Sequence, residues 1–183
     1  APEAGTKRLR DVIKKDMSEE DILNATKLAI ESGARSIKLY FMIGLPSETA
    51  DAVNDLFVLV DFISRLGKSI RGLPPRVMVS VSSFVPKPHT PCQWAAQDSG
   101  EQLEAKQALL QSLLRRSGVH LSWHDTKTSL LEAVLSRGDR RLGAVIYTAW
   151  KKGCRLATWS ELFDFSRWQQ AFDECGIDPS FYA

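Results

Sequence analysis

The chain has 183 residues, 44% of them hydrophobic and 25% charged, enough to bury a core for one domain or one and a half. Its 24 basic and 22 acidic residues are mixed along the chain, so a nucleic-acid partner is not indicated, and no apolar run has membrane-spanning length or follows a basic start, which predicts a soluble, cytoplasmic protein without a membrane partner. Cys92, Cys154 and Cys175 are odd in number and far apart, which excludes a disulfide framework and a chelating pair and predicts reduced, buried thiols.

In chain order, Pro2 and Gly5 mark a turn, after which Leu9, Val12 and Ile13 give a short helical face among Lys7, Arg8, Arg10, Lys14 and Lys15. Ser18 is a good N-cap for a second helix, with Glu19, Glu20 and Asp21 in its first turn. Ile22, Ala25, Ala29 and Ile30 form its stripe up to Gly33.

Residues 37–44 have the β-branched and aromatic content of a strand, which Gly44-Leu45-Pro46 ends. Alternation sets Lys38, Tyr40 and Met42 on one face against Ile37, Leu39 and Phe41 on the other. Lysine and tyrosine are poor core residues, so the first face reads as the wall of a cavity. Val53, Leu56, Phe57, Val60 and Ile63, widened by Leu59, Phe62 and Leu66, predict a largely buried helix. Residues 67–75 read as a loop and 76–85 as a second strand, with Val77, Val79 and Val81 alternating against Met78, Ser80 and Ser82 up to Pro86. Strand, helix and strand at this spacing make a βαβ crossover, hence a parallel pair.

From Gln97 helices dominate, at about 99–117, 127–137 and 140–152, with a possible short strand at 119–123. Leu130, Leu131, Val134 and Leu135, then Leu142, Val145, Ile146 and Ala149, supply apolar faces, and a last helix carries Trp168, Ala171, Phe172 and Cys175. The predicted class is α/β: a first domain, 1–97, with about two parallel strands and covering helices, and a mainly helical extension, 98–183.

The Gly44-Leu45-Pro46 turn lets backbone approach a ligand closely, although turn geometry alone also accounts for it. Three prolines stiffen the loop after the second strand, where Lys87 and His89 could meet an anionic or proton-transferring group; a plain surface histidine is the alternative for His89. His120 and His124 lack further ligands at metal-site spacing, so no metal site is predicted. In Arg137-Gly138-Asp139-Arg140-Arg141, Gly138 suits the end of one helix and Asp139 the cap of the next, a structural reading favoured over adhesion or RNA contact. Trp159, Phe163, Phe165 and Trp168 read as a core seam or a docking face.

APEAGTKRLRDVIKK, KLYFMIGLPSET and VSSFVPKPHTPCQW, in this order and spacing, resemble the later part of the catalytic barrel of radical S-adenosylmethionine (SAM) enzymes. They look closest to an uncharacterised group with an amino-terminal cobalamin-binding domain, whose carboxyl-terminal region SRGDRRLGAVIYTAWKKG and WSELFDF also resemble. The resemblance implies a partial (β/α) barrel and a parent enzyme in which a [4Fe-4S] cluster on a CxxxCxxC loop cleaves SAM reductively to methionine and a 5′-deoxyadenosyl radical. It implies roles as well. Glu3 matches the polar residue that holds the SAM ribose hydroxyls, a task a carboxylate can perform by accepting from both. Lys15 falls where some relatives place an arginine for the SAM carboxylate. Met42, Ile43 and Gly44 match the segment that packs on adenine, with Glu48 near the glutamate of its looser consensus, and Tyr40 stands where some relatives have aspartate. Ser82, Phe84 and Val85 fall in the strand end whose backbone reaches adenine, and Lys38, Lys87 and His89 are candidates for substrate contact.

No CxxxCxxC occurs, and the three cysteines cannot imitate one, so the chain is expected to hold no cluster and no catalytic residue of its own. It reads as a fragment, inactive alone, whose missing amino-terminal half carries the cluster and a domain for cobalamin. Exposed edges of an incomplete sheet predict a homo-oligomer. Two other classes stay open: a non-catalytic adenine-nucleotide-binding module, and a protein-interaction module that docks through residues 123–183.

Overall fold

Three parallel strands organise the computed structural model, which describes residues 1–115, 117–155 and 161–183 and so leaves Trp159 outside the described residues. Two compact units result, one of Ala1–Phe84 with Glu101–His124 and one of Val85–Gly100 with Asp125–Ala183.

The first unit runs α1 (Lys7–Val12), α2 (Glu19–Glu31), β1 (Ser36–Ile43), α3 (Ala50–Arg71), β2 (Arg76–Ser83), α4 (Gly100–Leu114) and β3 (His120–Trp123). The sheet order is β1-β2-β3, with Ser36 opposite Arg76 and Met78 opposite His120. The sheet thus has three strands rather than about two. The third is residues 120–123, within the short strand expected at 119–123, which joins the sheet beside β2. At the other edge Glu3 adds a parallel bridge to Phe41: the Glu3 N–H donates to the Tyr40 carbonyl at 3.1 Å and the Met42 N–H donates to the Glu3 carbonyl at 2.7 Å.

Strand alternation sorts the side chains. Leu39, Phe41, Ile43, Val77, Val79 and Val81 are buried in one cluster with residues of α2, α3 and α4. On the opposite face the register aligns Lys38 with Met78 and His120, Tyr40 with Ser80 and Ser122, and Met42 with Ser82, all of them half-buried or exposed. All three covering helices therefore lie on the apolar side.

Ser18 caps α2 in a full capping box, accepting from the Asp21 N–H while the Asp21 carboxylate accepts from the Ser18 N–H. Its buried stripe is Ile22, Thr26 and Ile30, with the predicted Ala25 and Ala29 exposed, because the tertiary partner selects a line one residue round the helix. The helix α3 runs through Gly67 and ends at the left-handed Gly72. Gly67 is needed for close approach: a Cβ there would lie 2.3 Å from Pro75 Cδ, where the chain doubles back toward β2. Gly67→Ala therefore destabilises the unit by about 1–3 kcal/mol through overpacking, despite a gain of about 1 kcal/mol in helix propensity. A higher urea midpoint for this variant would overturn that account.

In the second unit α5 (Thr126–Arg137), α6 (Leu142–Lys151), α7 (Phe165–Glu174) and a 3-10 turn (Pro179–Tyr182) surround Leu131, Val134, Val145, Ala149, Trp168 and Phe172. Leu135 and Ile146, assigned to apolar faces by spacing, are exposed. Asp139 lies before α6 rather than at its cap, accepting from the Arg141 N–H at 2.8 Å and pairing with the Arg141 guanidinium, which holds its carboxyl below the usual range. Gly138 is extended and not left-handed; a Cβ there would meet the Leu142 side chain. Among the described residues no helix is long and apolar enough to cross a membrane.

Candidate functional site

The edge of β1 gathers the residues that the opening segment contributes. Glu3 is held on both sides by β1 backbone in a left-handed conformation, φ 64°, which costs a non-glycine residue about 1–2 kcal/mol and persists only where the surroundings impose it. Lys15, twelve residues on in sequence, brings its ammonium to 3.4 Å from Glu3 Oε1, with 37% and 26% of the two side chains exposed. The ion pair is thus carried by a residue whose backbone is bonded to Tyr40 and Met42 of β1.

Arg10, one of the bases among which the short apolar face of α1 is set, is the largest fully buried side chain. Its Nε donates to the Met17 carbonyl at 2.9 Å and its Nη1 to the carbonyls of Ala4 at 3.0 Å and Gly5 at 3.2 Å. The guanidinium therefore fastens the loop that carries Glu3 to the segment that follows Lys15. Burial pushes its pKa down, against the opposing field of Glu19 and Asp11.

The turn after β1 is closed by a second buried charge. Gly44, at φ 78°, donates its N–H to Glu48 Oε2 at 2.7 Å, and the same oxygen takes the Lys106 ammonium of α4. Only 4% of the Glu48 side chain is exposed. Arg8 donates to the carbonyl of Ser47 at 2.9 Å and to its hydroxyl at 3.0 Å, fixing the turn from α1. Lys106 and Arg10 escaped sequence reasoning, since neither carries a local mark of burial.

The other predicted site residues fall in three places. Lys38 and Tyr40 are exposed, with the ammonium 4.8 Å from the ring centroid, and Met42 and Ser82 are half-buried on the same face, where the Ser82 hydroxyl donates to the Phe41 carbonyl at 3.4 Å. Ile43 and Phe84 are buried: Ile43 belongs to the core, and the Phe84 N–H donates to the Ile43 carbonyl at 2.8 Å. Val85, Lys87 and His89 lie in the second unit. There the Lys87 ammonium is engaged by Glu132 and by the Ser136 hydroxyl of α5, while exposed His89, at φ 62°, donates its N–H to Gln93 Oε1 at 3.1 Å. Val85 is half-buried.

Cys92, Cys154 and Cys175 are free and half-buried rather than buried, and desolvation pushes the Cys154 thiol up against the opposing pull of Arg167. Among the described residues no three His, Cys, Asp or Glu side chains gather where they could hold a metal ion.

The uncharacterized protein MJ0966 of Methanocaldococcus jannaschii is 35% identical to this chain over 142 residues, which is 78% of this chain and 30% of that protein. The chain therefore spans under a third of the length of this curated relative. No family model and no solved structure matches this chain.

Proposed function

We propose that the first unit is part of a partial (β/α) barrel and forms the adenosine-side wall of a SAM site, in a parent enzyme that cleaves SAM reductively. The observation that carries this reading is the Glu3 and Lys15 pair, 3.4 Å apart beside β1, on a parallel sheet whose covering helices within this unit, α2, α3 and α4, pack on the apolar face. Parallel sheets are ordinarily buried on both faces, and a barrel achieves this by closing the uncovered face on itself. Lys38, Tyr40, Ser80, Ser82, His120 and Ser122 then face a polar interior.

The donor set suits SAM in part. The Glu3 carboxylate can accept from two vicinal ribose hydroxyls, and Lys15 offers a point charge to the amino-acid carboxylate without an arginine's bidentate fork. Arg10 and Glu48 keep these groups and the Gly44 turn in place. When bound, SAM supplies the sulfonium carbon bond that reduction breaks. The three dispersed cysteines do not fit an iron-sulfur cluster, so the reducing centre belongs to sequence outside this chain, and this chain's residues bind and orient only.

Isothermal titration of the chain with SAM checks the half-site. Saturable binding is expected, weakened about 10- to 100-fold by Glu3→Gln and by Lys15→Ala, the loss of one charge-assisted hydrogen bond each. No saturation by the folded chain, or equal affinity in both variants, overturns the assignment.

A further inference from the structure

We propose that the exposed face of α6 binds single-stranded nucleic acid, by stacking bases on Tyr147 and Trp150 between two flanking cations. The rings of Tyr147 and Trp150 lie 5.9 Å apart at 21° and are 55% and 50% exposed. Lys151 places its ammonium 4.5 Å from the Tyr147 ring, and the Arg155 guanidinium lies 5.8 Å from the Trp150 ring. The order across the surface is cation, ring, ring, cation. Two large aromatic side chains left in water forgo the stabilisation that burial would give, and Leu142, Val145 and Ala149 already supply the core side of this helix.

Charge identifies the partner. Residues 137–155 hold six basic side chains and one acidic, against 18 basic and 21 acidic in the rest of the chain. The one acid of this segment, Asp139, is paired with Arg141, and Lys152 pairs with Glu174. Among the described residues Lys151 and Arg155 have ring contacts and no ion pair. A ligand that satisfies both features carries spaced negative charges and accessible flat π-faces. Single-stranded nucleic acid has both, whereas a duplex hides its base faces and an acidic peptide lacks them.

Fluorescence anisotropy of the whole chain with a labelled single-stranded RNA of about 12 nucleotides, within the range of site sizes for such surfaces, tests the proposal. Saturable binding is expected, with log K falling against log salt at a slope of about −0.7 per phosphate contact, hence about −1.4 for Lys151 and Arg155. Trp150→Ala weakens it about 5- to 150-fold, the cost of one stacked base. Joint Lys151→Ala and Arg155→Ala substitution removes most of the salt slope. These positions are exposed, and circular dichroism verifies that the variants fold. Absence of binding by the wild-type chain, equal affinity for duplex DNA or for heparin, or an unchanged affinity in Trp150→Ala overturns it.

Discussion

Arg10→Ala lowers the stability of the first unit by on the order of 4 kcal/mol. Arg10 is fully buried and donates to three backbone carbonyls. Hydrogen bonds from a charged donor contribute about 1.5–3 kcal/mol each, and truncation also leaves the acceptors unpaired and a cavity behind. Arg10→Lys recovers little, since one ammonium cannot span the positions of Nε and Nη1. Arg10→Met separates volume from hydrogen bonding: it refills the space and leaves the carbonyls of Ala4, Gly5 and Met17 unsatisfied. Urea titration followed by circular dichroism reads the difference, and an Arg10→Met variant within about 1 kcal/mol of wild type would show that packing, not hydrogen bonding, is the guanidinium's contribution. In the SAM titration the same variants lose affinity, because the fastened segments carry Glu3 and Lys15.

Glu48→Ala is the second large effect, at about 3 kcal/mol. It removes the acceptor of the Gly44 N–H and the counter-charge of Lys106 together. The buried location decides the magnitude: exposed pairs such as Lys7 with Asp11 contribute about 0–1 kcal/mol, whereas the Glu48 carboxylate, 4% exposed, makes its contacts in poor solvent. A double-mutant cycle with Glu48→Gln and Lys106→Met isolates the coupling, which is expected to exceed about 0.5 kcal/mol. Strict additivity would mean that Glu48 acts through the Gly44 N–H only.

Much of the first unit was legible because its signals are local and strong. The alternation in β1 and β2 and the long apolar stripe of α3 fix both strands and their crossover, and Ser18 with Asp21 announces the start of α2. What escaped depends on distant partners. Six residues make under two turns in α1, too few to say which side is buried, so nothing sets Arg10 apart from Lys7, Arg8, Lys14 and Lys15. Glu48 and Lys106 stand 58 residues apart, and nothing near either marks the contact. Glu3 and Lys15 were named by resemblance rather than by any periodicity, and their approach is a property of the folded edge. In the second unit, exposed Ile146 and Tyr147 show that apolar spacing does not reveal which helix face finds a partner.

The pairing register has a consequence for synthesis. Phe41 pairs with Glu3, Arg76 with Ser36 and His120 with Met78, so each new strand joins the sheet about 40 residues after its neighbour. At the usual 5–20 residues per second, a strand emerging from the ribosome waits roughly 2–8 s for its partner. During that interval its hydrogen-bonding edge is open to any other extended chain. The intervening helix is complete before the partner strand arrives, so α3 can cover the apolar face of β1 while β2 is still being made.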